Sequence, residues 1–235
     1  MLAILKRDFR SYFTSPIAYV LIGLFVCILS IFFMDSLSSG YADLSGSFIS
    51  SMSFLLLFIV PLITMRSIAE DKRNGTEVLL LTSPTRLSEV VIGKFLAAFS
   101  VFLVMTAASL VFPLVLWIYG TPEGIKLFSA YLGFILLGFV FISIGVFASS
   151  VTENQIVAAI ITFVILFGLT AISFLGNYIG GLVGHILIWI SFMDRYYEFS
   201  SGIIDITSII FLLSYAVVFI FLTIRVLERK RWGQG

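Results

Sequence analysis

Residues Glu70–Lys94, EDKRNGTEVLLLTSPTRLSEVVIGK, form the one long charged interruption in an otherwise apolar chain, with a greasy run on either side. Asn74-Gly75 is a helix stop and turn signal. Beyond it, Thr76 is placed to cap a short turn of helix in which Val78, Leu79, Leu80 and Leu81 make a compact apolar knob, closed by Ser83-Pro84. Thr85 is placed to cap the next helix, with Glu89 in its first turn, where the helix dipole favours an acid. A short helix with an apolar side and the charged rim Glu70–Arg73 suits docking into a groove on another protein. The same leucines could instead lie flat on a membrane surface, and the residues alone leave both readings open.

The rest of the chain says what this interruption interrupts. Of 235 residues, 60% are hydrophobic and 11% charged, with mean hydropathy +1.14, whereas soluble domains carry about 25% charged residues. Such a chain cannot hide its apolar surface in water, and no hydrophilic block is long enough to fold separately, so it reads as one integral membrane domain, 1–235. A net charge of +1 and the absence of a basic stripe give nucleic acid no footing. The lone Cys27 excludes a disulfide within the chain.

Outward from the charged stretch, apolar runs at 16–34, 48–65, 95–119, 127–150, 156–176 and 206–224 are each long enough for a helix to cross the hydrocarbon core, which takes roughly 20 residues. The fold expected is therefore all-α, with six transmembrane helices. Residues 1–15 place Leu2, Leu5, Phe9 and Tyr12 at three- and four-residue steps, away from Lys6, Arg7 and Arg10, as in a helix lying in the headgroup layer. The charges of MLAILKRDFR precede the first run as in a signal sequence, but that run is a full span without a small-residue cleavage site, so an uncleaved anchor is expected. Pro61 should kink or loosen the second span. Gly145 and Ser149, four apart, have the small-residue spacing that lets helices approach closely. In 177–201 the apolar part, Ile179–Phe192, is too short to cross and is studded with Gly180, Gly181 and Gly184, which suggests a re-entrant or interfacial element.

Six spans put twelve of the 14 basic residues on one side, at the N-terminus, the charged stretch with its flanks, and the tail. Lys126 and Arg195 remain opposite, so the positive-inside rule makes both termini and the charged stretch cytoplasmic. The charges near the spans, Asp35, Arg66, Lys94 and Lys126, fall at span ends, where long side chains reach water, which speaks against ion-coupled transport. The single histidine, His185, offers no converging metal ligands. No serine-hydrolase elbow, paired-histidine zinc motif or phosphate-binding loop is present, so neither catalysis nor a cofactor is expected in this chain.

The pattern Glu70-Asp71-Lys72-Arg73-Asn74-Gly75-Thr76-Glu77-Val78-Leu79-Leu80, followed by Pro84 and Gly93-Lys94, resembles the segment after the second span in permease subunits of ABC-2 type ATP-binding-cassette exporters. Ser11–Tyr19 (SYFTSPIAY), Ser149–Gln155 (SSVTENQ) and Arg225–Trp232 (RVLERKRW) are similar to the gliding-motility-type branch of that family. The resemblance covers nearly the whole chain. It implies an N-terminal elbow helix, a cytoplasmic coupling region over 70–88, and a re-entrant outer element before the sixth span. Carried over by position, Glu70, Asp71, Arg73, Gly75, Thr76 and Glu77 would form the coupling region, with Leu79 and Leu80 as its apolar knob, and Thr152, Glu153, Asn154 and Gln155 a second, smaller contact. It also implies a separate ABC ATPase subunit that holds ATP and Mg, a second membrane subunit, identical or related, and a place in a bacterial inner membrane. Export of a substrate is the function implied. The alternative, from a different class, is a mechanotransmission component that drives an envelope or periplasmic protein with the same ATPase and carries no solute.

Overall fold

The computed structural model describes residues 1–38, 48–76, 86–119 and 123–233, and among them every regular element is an α-helix. Lipid offers backbone groups no hydrogen-bond partner, so apolar runs of this length satisfy their own peptides as helices. In chain order these are α1 (Leu2–Thr14), α2 (Ile17–Ser38), α3 (Ile49–Thr64), α4 (Ala69–Arg73), α5 (Leu87–Ser109), α6 (Val111–Tyr119), α7 (Gly124–Val151), α8 (Gln155–Ile179), α9 (Gly181–Ile190), α10 (Phe192–Ser200) and α11 (Ile206–Gly233). Among the described residues, six stretches are long and apolar enough to cross a membrane: Ile17–Leu37, Ser51–Arg73, Leu87–Ile118, Gly124–Val151, Gln155–Ile179 and Ile206–Lys230.

The bundle is built around α7, which packs against α3, α5, α8, α10 and α11. The most apolar stretches of α3 and α7 are 72% buried, against 28% for α2 and α8 and 17% for α11. The outer helices turn apolar side chains such as Tyr19, Phe167 and Val217 outward. A bundle that is apolar both inside and outside is one that lipid surrounds.

Two irregularities follow directly from proline and glycine. Pro113 has no N–H to give the carbonyl of Ser109, and the helix breaks there, at Leu110 between α5 and α6. The freed Ser109 carbonyl accepts instead from the Tyr131 hydroxyl of α7 at 3.2 Å. Pro61, by contrast, is held inside α3, which runs on to Thr64. The helix of the third span begins at Leu87, two turns before the apolar run that marks it in the sequence.

At the opposite end of the bundle from α1 and α4, α8 continues to Ile179 and then reverses. Gly180, at φ 62° and ψ −168°, occupies a region essentially restricted to glycine. The ten-residue α9 is about 15 Å long, half the hydrocarbon thickness, and lies back along α8. Tyr215 of α11 holds its end, donating to the Ile190 carbonyl at 2.9 Å. Ser191 then caps α10, and Asp194 in its first turn accepts from Ser173 of α8 at 2.9 Å.

Candidate functional site

The charged residues that flank the second and third spans gather where α1, the α3–α4 turn, the first half of α5 and the α7–α8 connection meet. The turn between α3 and α4 exposes backbone groups that a continuous helix would pair, and neighbouring helices supply the partners. Ser67 N–H bonds to the Thr64 carbonyl at 3.0 Å rather than to Ile63, whose carbonyl accepts from the Tyr12 hydroxyl of α1 at 2.7 Å. Burial pushes the Tyr12 phenol well above its ordinary pKa, so it remains a protonated donor.

The residue at the head of α4, Ile68, gives no side-chain cap, and Ser149 of α7 does that work from outside. Its hydroxyl oxygen accepts from the amides of Ile68 and Ala69, both at 3.0 Å, and donates to the Met65 carbonyl at 3.3 Å. One turn earlier in α7, Gly145 makes room for α3: a Cβ there would lie 2.2 Å from Thr64 Oγ1. Lys72, part of the charged rim in the sequence, is buried and donates its ammonium to the Ser150 carbonyl at the end of α7. A five-residue helix is thus fixed to α7 at both ends.

The acidic side of α4 is held by α5 and α1. Lys94, expected to reach outward to water, turns inward and is only 4% exposed. Its ammonium lies 2.5 Å from Asp71 Oδ2 and 3.2 Å from Asp8 Oδ2 and donates to the Ser67 carbonyl at 2.5 Å. Two carboxylates compensate a cation that would otherwise be costly to bury. Arg7 pairs with Asp8 at 2.7 Å and approaches Asp71 at 3.6 Å. Glu70 accepts both prongs of Arg66, each at 3.0 Å, the bidentate geometry that an arginine fork favours.

Asn74 ends α4, and Gly75, at φ 71°, takes the left-handed conformation that glycine allows at low cost. Thr76 folds back, donating to Asp71 Oδ1 at 3.0 Å. Glu77, Leu79 and Leu80, with the rest of the expected knob, lie outside the described residues. The second expected segment is well defined. Thr152 closes α7 and accepts from the Asn154 amide at 3.2 Å. Asn154 caps α8 by accepting from Ile156 N at 2.9 Å, and Glu153 points into solvent 4.0 Å from Lys230 of α11. Arg73 faces this segment across a recess of about 580 Å³ lined by Glu153, Asn154 and Gln155. Two segments 80 residues apart in sequence therefore share one surface.

Asp8 and Lys94, like Arg7, Arg66 and Ser149, are members of the junction that the sequence did not mark as site residues. Asp8 stands among basic residues, yet the apolar stripe Leu5, Phe9, Tyr12 runs past it at three- to four-residue steps, and that was the available signal.

No curated protein matches the chain. A family model described as ABC-2 family transporter protein matches residues 34–225, most of the chain and all of the junction except α1. The chain therefore belongs to the ABC-2 family of transporter proteins, as a permease-type membrane component rather than a catalytic one.

Proposed function

We propose that this chain is the membrane subunit of an ATP-driven exporter, coupled to a separate ATPase that docks on α4, the segment after it, and Thr152–Gln155. The observation that carries the reading is the way α4 is held: Ser149 and the Ser150 carbonyl fix it to α7, Lys94 to α5, and Arg7 to α1. A push on α4 would reach three helices as a rigid displacement instead of being absorbed in a loop. ATP and Mg would reside on the ATPase, and a second membrane subunit, identical or related, would supply the other half of the substrate route. The junction and both termini would face the cytoplasm of a bacterial inner membrane, the orientation that the distribution of basic residues favours. In this orientation α1 would lie in the headgroup layer and α9–α10 would form a re-entrant outer element. Placement in the gliding-motility-type branch rests on Ser11–Tyr19, the most branch-specific segment, with Ser149–Gln155 and Arg225–Trp232, and carries no implication of movement.

The test is co-purification of the ATPase and ATP-driven transport in proteoliposomes for Glu77→Arg and for Leu79→Asp with Leu80→Asp. Association and coupling should fall while the six spans remain inserted. Survival of both would sink the assignment, and a nucleotide-dependent complex with an envelope protein, without transport, would replace export by mechanical coupling.

A further inference from the structure

The three basic residues of α1 are used in two ways. Arg7 reaches into the junction, pairing with Asp8 and Asp71, on the side where Asp8 meets Lys94 and Tyr12 meets the Ile63 carbonyl. Lys6 and Arg10, one turn apart, are exposed, and neither side chain has a hydrogen-bond or ion-pair partner among the described residues. At 3.6 residues per turn, Leu2, Phe9, Phe13, Lys6 and Arg10 fall within about a third of the helix circumference. Across that arc the chemistry changes from apolar to basic. Leu2 is 77% exposed, Phe9 and Phe13 are half-buried with rings 4.8 Å apart, and Lys6 and Arg10 form the far edge. The outward side of α1 is therefore amphipathic in its own right, apart from the face that packs on α5. Tyr19 sets its level. It stands in the first turn of α2, exposed, and meets Phe13 edge-on at 5.8 Å; exposed tyrosines at the end of a span belong to the headgroup layer.

We infer that the outward face of α1 binds anionic phospholipid, with Lys6 and Arg10 on the headgroup charge and Leu2, Phe9 and Phe13 against the upper acyl chains. A short helix with basic residues beside Leu and Phe holds to a membrane by apolar burial and by attraction to anionic lipids together. Both are present on this face, and no carboxylate offsets the two cations, so a lipid of net negative charge is favoured over a zwitterionic one. An acidic protein surface would answer Lys6 and Arg10 but leave the apolar edge unmatched. The bound lipid would also bear on the junction, because the other side of α1 is tied to Lys94 and Asp71 through Asp8 and Arg7. The inference rests on the placement of α1 in the headgroup layer and not on the ATPase assignment.

The experiment uses the full chain in phosphatidylcholine nanodiscs, with a fluorophore on Ala3→Cys in a Cys27→Ser background. Its quenching is compared for phosphatidylglycerol and phosphatidylcholine, each carrying a nitroxide high on the acyl chain, at equal mole fraction. Phosphatidylglycerol should quench more strongly. Lys6→Gln and Arg10→Gln should each lower its affinity relative to phosphatidylcholine about fivefold, the worth of one basic residue near an anionic surface. The exchange of Lys6→Arg with Arg10→Lys should keep the preference, and so should Lys126→Gln, which removes the same charge at the opposite end of the bundle. Equal quenching by the two lipids would leave α1 in the headgroup layer but overturn the site, passing Lys6 and Arg10 to an acidic protein surface. Quenching by neither lipid would overturn the placement of α1 and the site with it. A preference that survives both glutamine variants, that is lost in the Lys–Arg exchange, or that falls equally in Lys126→Gln would also overturn the site.

Discussion

Lys94 Nζ sits 2.5 Å from Asp71 Oδ2, an ion pair that ties the first half of α5 to α4 inside the protein. The two partners are not equivalent. Asp71 has Arg7 within 3.6 Å as a second cation, and Lys94 has Asp8 and the Ser67 carbonyl as further partners. Lys94→Met would leave two part-buried carboxylates sharing one arginine, whereas Asp71→Asn would leave the ammonium still paired. Stranding buried charge costs about 3–5 kcal/mol, so Lys94→Met should approach the lower end of that range and Asp71→Asn should cost about 1 kcal/mol, as a lost hydrogen bond does. Thermal unfolding in detergent ranks the two, and the reverse order would show that Lys94 is not the centre of the cluster.

Ser149 makes a second test, because its role is local. Removing its oxygen takes the acceptor from two backbone amides, those of Ile68 and Ala69, in a site where water has little access. Ser149→Ala should therefore loosen α4 more than it destabilises the bundle, with each unsatisfied amide costing about 1–3 kcal/mol. Hydrogen exchange across residues 68–73 should speed up by at least tenfold, while exchange in the centre of α7 stays unchanged. Uniform acceleration along both helices would mean that Ser149 supports the packing rather than the cap.

What the sequence made legible was decided by the solvent. Lipid forces apolar runs into helices, so run length alone gave an all-α bundle with six spans. Composition could not say where side chains point at the ends. Lys94 marks the edge of the apolar run, yet the helix begins at Leu87, so a charge that fixes the hydropathy boundary lies two turns inside the helix and turns inward. Likewise Gly145 and Ser149 were legible as a small-residue pair, but only the fold shows that one admits Thr64 and the other caps α4. The burial of Lys72 was not legible for a related reason: a long amphipathic side chain on a five-residue helix reaches α7, and spacing within the helix carries no trace of that partner.

The Gly145–Thr64 contact yields a third prediction. A methyl at position 145 would meet Thr64 Oγ1 at 2.2 Å and Cβ at 2.7 Å, and Thr64 cannot easily turn away, since its hydroxyl donates to the Val60 carbonyl at 2.9 Å. Gly145→Ala should cost about 1–3 kcal/mol, the usual range for overpacking. Combining it with Thr64→Gly removes the obstructing side chain and should recover part of that loss in a double-mutant cycle of thermal stability. Additive losses would place the strain elsewhere.

The α8–α9 hairpin gives a prediction about order rather than size. A Cβ on Gly184 would stand 2.6 Å from the Gly176 carbonyl oxygen, a backbone atom that cannot rotate away. A Cβ on Gly176 would first meet Ile188 Cγ1 at 2.8 Å, a side-chain atom that can move, and then the Gly184 carbonyl at 3.2 Å. Gly184→Ala must therefore push α9 off α8, while Gly176→Ala can be absorbed largely by a new rotamer of Ile188, at a cost near that of an off-rotamer side chain, about 1 kcal/mol. Because Tyr215 holds the far end of α9 at the Ile190 carbonyl, the displacement should concentrate at the glycine turn. Hydrogen exchange of the α9 amides, residues 181–190, provides the readout: protection should drop sharply in Gly184→Ala and hold in Gly176→Ala. Equal protection in the two variants would mean that α9 is not seated on α8 through these glycines.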